Sequence, residues 1–403
     1  MKFLKLVLKL NVSVFAVILF LNVGAKLNAA TYEIVSPSSW LTNLDAVDAK
    51  LYLNNVLTDG SVLGTIYAKF NGQNEKTFKM ARIFSDGRML WIKNAATSGE
   101  IAGYTTVKIL DASADGSIVA GQVCKSYLCR AAYWTLQPSG EYSSVPAVLG
   151  SYSGEIVKVV NENTFLVNQY AYNRLPARAM IYESGVARSF EPLSNQKCKY
   201  SKILDVAPSG EWILGVSQNC LNSGTSSDWN QTEPSSFPTL WNRQTGASSE
   251  LSSLQNFMQM NATALSSDGV IVGSSIVFKD MVNYDKRNPA VVWGNGGSVS
   301  ELPVPTNTTY ASTRGFLNGS LEIFGTIYSP PQGSLVYVTW KRTSIVTNDW
   351  VMEELRPSVV GMPANTNFGW DPIIAKDGSI ITYLDPTDLS LRTSSVFLRK
   401  ISN

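Results

Sequence analysis

Asp115-Gly116-Ser117-Ile118-Val119-Ala120-Gly121 and Asp268-Gly269-Val270-Ile271-Val272-Gly273 are two copies of one phrase, a polar-Gly turn followed by a β-branched run. Each leads, after a loop of variable length, to a strand that closes on an aromatic: Ala132-Tyr133-Trp134 and Val291-Val292-Trp293. An Asp-Gly pair favours the positive φ that a two-residue hairpin needs, and the β-branched run favours extended backbone. Outward from these two copies, weaker ones of the same turn stand at Asp59-Gly60, Glu162-Asn163, Ser209-Gly210, Asn318-Gly319 and Asp377-Gly378. The third strand of the unit ends at Phe84, Trp134, Tyr182, Trp241, Trp293, Trp340 and Phe397, a mean repeat of about 52 residues. The second strand carries a glycine in five units, at Gly64, Gly121, Gly215, Gly273 and Gly325, which points to a bulge or to close backbone approach.

A fourth strand follows in most units, as in Ser143 to Leu149, Val186 to Leu193, Ser248 to Leu254, Val299 to Val304 and Trp350 to Leu355. Such a unit cannot bury its own apolar face and must stack on copies of itself. The fold class that follows is all-β: a seven-bladed β-propeller of four-stranded antiparallel blades. The last unit stops soon after Phe397, so Tyr32 to Val35 is expected to supply its missing strand and remove the open edge. Helical signal is confined to Leu41–Leu51 and Leu251–Met260.

The first 30 residues read as a secretory signal: Lys2, Lys5 and Lys9, then the apolar run Val12 to Val23, then small residues up to Ala29 and Ala30. Residues 31–403 form the single propeller domain, with no later stretch long enough to span a membrane. A periplasmic, cell-surface or secreted location follows. Removing Lys2, Lys5, Lys9 and Lys26 turns the formal charge from +2 to −2, which leaves no electrostatic footprint for nucleic acid. The four cysteines of an exported chain read as two disulfides, Cys124–Cys129 and Cys198–Cys220 by proximity. Their spacing is poor for zinc, and neither a metal nor a cofactor is expected. The chain has no histidine, which excludes Ser-His-Asp and Cys-His catalysis and histidine-ligated metals.

The units resemble the HAF-type extracellular repeats of bacterial surface and autotransporter-associated proteins. Ser113-Ala114-Asp115-Gly116-Ser117-Ile118-Val119-Ala120-Gly121 with Arg130-Ala131-Ala132-Tyr133-Trp134 matches that pattern best, and Ser266-Ser267-Asp268-Gly269 with Ala290-Val291-Val292-Trp293 is a second good copy. The resemblance implies an exported propeller. It covers most of the chain after residue 30, and the third and seventh units depart from it by lacking the Gly and the Trp.

In a propeller the Asp-Gly turns lie on one face, and the long loops share the other with the connections between blades. Loops on a rigid scaffold are where recognition concentrates. The candidate binding residues are therefore Asp228, Trp229 and Glu233, then Tyr284, Asp285 and Lys286, with Trp370 and Asp371 just before the seventh unit. Aromatics beside carboxylates suit a glycan or peptide. The leading expectation is a monomeric, non-catalytic binding or interaction module with a glycan or protein partner. The alternative is a carbohydrate-active hydrolase or lyase using a carboxylate pair on that face. Convergent buried carboxylates in a central funnel separate the second from the first.

Overall fold

The computed structural model describes residues 31–402, apart from 172–175, 196, 219–235, 255–258, 277–287, 295–296, 319–320, 329–334, 345–348, 363–365, 370 and 387–394. The chain is all-β. Its described helical residues are two short 3-10 segments, Pro37–Asn43 and Arg356–Ser358, and among the described residues no helix is long and apolar enough to cross a membrane.

Four sheets are four-stranded antiparallel meanders in sequence order. They comprise Ala46–Val56 to Met89–Ile92, Tyr200–Val206 to Ser248–Glu250, Gln259–Leu265 to Val299–Glu301, and Tyr310–Asn318 to Trp350–Glu354. Two further units share one seven-stranded sheet, because the 15-residue strand Ala147–Asn161 runs through both. Its first part pairs with Leu128–Thr135 and its second with Thr164–Gln169. Gly150, at φ +69°, makes the change of direction without a loop. Another sheet is built from Ile373–Ile374, Ile380–Thr382 and Val396–Ser402, with Thr31–Val35 antiparallel to the third of these, and Thr366–Phe368 pairs with Leu384–Pro386 in a small two-stranded sheet. Val359–Val360 lies parallel on the outer side of Thr31–Val35.

The turns stand where the sequence places them. Gly60, Gly116, Gly210, Gly269 and Gly378 have φ between +69° and +82°, where a side chain would be strained. At Asp115 the carboxylate accepts from the Ser117 N–H at 3.0 Å and from the Ser113 and Ser117 hydroxyls, so the turn closes on its own side chains.

The strand glycines sit opposite a bulge. In each of these five units the inner strand slips one residue at that point, for example between Ile109 and Asp111 opposite Gly121. A Cβ on Gly121 would lie 2.0 Å from the Lys108 carbonyl oxygen. In three units the repeat tryptophan also lies over the glycine, with a ring carbon of Trp241, Trp293 or Trp340 2.3–2.9 Å from where a Cβ would stand. The rings of Trp134, Trp241, Trp293 and Trp340 are fully buried. Each indole N–H donates to a carbonyl just past the preceding unit's last strand: Lys93, Glu191, Ser252 and Pro303, at 2.7–2.8 Å. The tryptophan is thus both core and fastener between units.

Three local expectations are corrected. Leu41–Leu51 is not a helix: a 3-10 turn ends at Asn43, and the alternation of buried Leu51 and Leu53 with exposed Lys50 and Tyr52 makes a strand. Leu251–Met260 is not a helix across its described residues, and Gln259 already begins a strand. In the first unit Ile83, not Phe84, takes the tryptophan's place, two residues beyond the partner of Gly64. Phe84 instead lies between the guanidinium groups of Arg82 and Arg88, 5.0 and 3.9 Å from its ring centre.

Cys124 and Cys129 form the expected disulfide, directly opposite one another across a hairpin. Cys220 lies outside the described residues.

Candidate active site

Seven segments precede the seven turns, and residues from all of them line one cavity of about 420 Å³. The pattern is positional. Asn55, Asp111, Lys158, Asp205, Ala264, Arg314 and Ile373 each stand four residues before the first residue of their turn, and all seven line the cavity. Five of the seven are polar. The cavity therefore lies where the inner strands run into the Asp-Gly turns, not among the long loops.

The polar members are stitched from one unit to the next. Asp111 Oδ2 accepts the Val159 N–H of the following unit at 2.7 Å and Lys376 Nζ at 3.0 Å. Asp205 Oδ2 accepts the Leu265 N–H of the following unit at 3.0 Å, and its Oδ1 meets Lys158 Nζ at 3.0 Å. Asn55 Oδ1 accepts the Lys376 N–H at 2.9 Å. Burying these groups without partners would be costly; here each carboxylate has both a backbone donor and an ammonium.

The electrostatics centre on Lys158. The Asp205 carboxylate, with Asp111 adding to it and burial opposing, holds the Lys158 ammonium well above the ordinary lysine range. Two carboxylates from different sheets, each paired with its own ammonium, thus line one cavity. Asp111 has only 6 % of its side chain exposed, and Asp205 has 17 %. Both hydrogen bonds to Asp111 end on Oδ2, so Oδ1 is left to accept from a water or a sugar hydroxyl. A carboxylate base and ammonium donors lining one cavity can activate water and stabilise a departing oxygen.

Of the residues expected from the sequence, Asp228, Trp229, Glu233, Tyr284, Asp285, Lys286 and Trp370 lie outside the described residues. Asp371 is described. It is largely exposed and sits 3.5 Å from Arg314, which lines the cavity. Sequence reasoning missed Asp111, Lys158, Asp205 and Lys376. The signal for three of them was their shared offset from the turn.

No family model and no curated protein matches the chain. Solved structures do resemble it. A post-proline cleaving enzyme from Rickettsia typhi superposes with a TM-score of 0.52 at 9 % identity, over 87 % of this chain and 53 % of that one. This chain therefore spans about half the length of that enzyme, and the likeness is one of fold. An α-L-arabinanase from Penicillium chrysogenum, solved with arabinobiose, matches over 92 % of this chain and 98 % of its own at 11 % identity, with a TM-score of 0.36. An acylaminoacyl peptidase from Pyrococcus horikoshii covers 71 % of this chain and 51 % of its own at 10 % identity, with a TM-score of 0.35. The Rickettsia typhi protein is an enzyme, and the expectation of a non-catalytic binding or interaction module is corrected on that likeness.

Proposed function

We propose that this protein is a glycan hydrolase working in the axial cavity of a seven-bladed propeller. Seven lining positions at one offset from seven turns support the blade number. The pairing of Thr31–Val35 with Val396–Ser402 supports closure by the N-terminal strand. The Cys124–Cys129 disulfide supports an oxidising compartment, hence a cleaved signal and export.

The observation that carries the function is the pairing of Asp205 with Lys158 and of Asp111 with Lys376 at one cavity. Asp111 takes a proton from water as the water oxygen bonds to the anomeric carbon. The bond to the leaving sugar's oxygen breaks on the opposite face of the ring, and a water there gives that oxygen its proton. The proton on Asp111 returns to the hydroxide so formed through solvent, while Lys376, 3.0 Å from Asp111 Oδ2, fixes the carboxylate in place. Asp205 holds the Lys158 ammonium in place at the cavity wall.

The test is release of new reducing ends from a panel of polysaccharides. Asp111→Asn keeps the shape and should lower turnover by about 10²–10⁴-fold. Unchanged turnover in that variant removes Asp111 from the mechanism. A wild-type protein that cleaves no glycan, or only peptides, rejects the reading.

A further inference from the structure

Exposed apolar side chains elsewhere in the described structure include single aliphatic residues such as Val186 and Val351, which need no explanation. The first sheet differs. Phe78 is 67 % exposed and Tyr52 is 45 % exposed. Register places them on one sheet face in neighbouring rows. Lys50, Tyr67 and Phe78 lie directly opposite one another across three strands, and Tyr52 lies opposite Thr65 in the next row. Tyr67 and Phe78 are stacked, with ring centres 4.5 Å apart and planes 24° apart. Stacked on one another, the two rings each cover one face of the other, and Lys76 lies over Tyr67, so the aromatic surface left open is that of Phe78, with Tyr52 in the next row.

Its border is basic. Lys50 and Lys69 are exposed on the same face, and Lys76 Nζ lies 5.8 Å from the Tyr67 ring centre. Asp48 offsets one charge through its 3.3 Å pair with Lys76. Among the described residues, Lys50 and Lys69 have no ion pair. The strand that carries Tyr52 also supplies Asn54 and Asn55 to the cavity lining. Two residues of strand are only about 7 Å.

We infer that this face is an anchoring subsite for an acidic glycan chain, one bearing uronate carboxylates. The inference rests on the hydrolase reading and names its substrate class. Aromatic faces are negative at the centre and meet the polarised C–H face of a sugar ring, as they meet other positive edges. Lysines on the rim supply the charge that distinguishes a uronate from a neutral sugar, and they draw the chain in from solution. An aromatic platform bordered by cations fits an anionic saccharide better than a second copy of a near-neutral chain.

Affinity electrophoresis of the whole protein through gels containing polygalacturonate, with dextran as the neutral control, tests this. Wild type should be retarded by polygalacturonate and not by dextran, and salt should weaken the effect. Phe78→Ala, and Lys50→Ala with Lys69→Ala, should each weaken retention by about tenfold, as loss of one anchor does. Their melting temperatures should match wild type, because the residues are exposed. Absence of retention, equal retention by dextran, or full retention of Phe78→Ala overturns the inference. So does a wild-type dimer in sedimentation that Phe78→Ala splits, since a second copy then covers the rings. Asp111→Asn should be retained like wild type. Retention without hydrolysis rejects the cavity reading alone; hydrolysis without retention rejects this one alone.

Discussion

Gly273 and Trp293 show how one residue dictates another. The bulge in Gln259–Leu265 brings the Asn261 carbonyl to 2.1 Å from where a Cβ on Gly273 would lie, and the Trp293 ring closes the other side at 2.9 Å. Neither neighbour can retreat, since one is backbone and the other is wedged in the core with its N–H on Ser252. Gly273→Ala should therefore cost about 3 kcal/mol in urea unfolding. A wild-type midpoint would mean that the bulge relaxes. Trp293→Phe removes the fastener while keeping a ring, and should cost about 1–2 kcal/mol from the unpaired carbonyl together with lost contacts. Glu322 tests the opposite balance. Burial pushes its carboxyl up, with Lys341 and Lys400 pulling it down by less. A carboxyl raised in the folded state binds its proton more tightly there than in the unfolded chain. The native protein therefore loses stability as pH rises through the folded value. Glu322→Gln should raise the melting temperature at neutral pH, with the gain shrinking towards about pH 4. A gain that grows on acidification would show the sign to be wrong.

The hairpin Ile118–Lys125 to Leu128–Thr135 carries the bridge Cys124–Cys129, whose Cα atoms are 4.1 Å apart at directly opposed positions. The loop it closes is short, so the chain-entropy model gives only about 2 kcal/mol. Cys124→Ala with Cys129→Ala should lose that much and still fold, whereas outright unfolding would reveal a larger role. The proposed Cys198–Cys220 bridge should appear as a linked peptide pair in a non-reduced digest. At this scale the sequence was readable where one residue type has one local cause: Asp-Gly at a turn, Gly at a bulge, Trp over that Gly. It was unreadable where meaning depends on other units. Asp111 alone looks like the polar end of a strand. Only when Asn55, Asp111, Lys158, Asp205 and Arg314 are aligned on their turns do they become one polar set lining a single cavity. The continuous strand Ala147–Asn161 was hidden for a related reason, because Gly150 reads as a turn until both of its pairings are known.

A ring of sheets is only as stable as its last junction. Thr31–Val35 lies between Val359–Val360 and Val396–Ser402, with Tyr32 fully buried and Glu33 paired to Arg399. If this strand closes the proposed propeller, its removal leaves Val396–Ser402 as a bare edge beside an uncovered core, a template for association. Deleting residues 31–36 should lower the melting temperature and promote aggregation, and a synthetic peptide of those residues added in excess should restore it by binding the native edge. Tyr32 separates packing from hydrogen bonding. Its hydroxyl is buried with no hydrogen-bond partner among the described residues, and burial raises its pKa. Tyr32→Phe should thus be neutral or stabilising, because it removes a polar atom that gains nothing. Tyr32→Ala should cost about 3–5 kcal/mol, as truncation of a buried ring does. A deletion that melts like the full chain, or a Tyr32→Ala variant as stable as Tyr32→Phe, would place the closing contact elsewhere in the molecule.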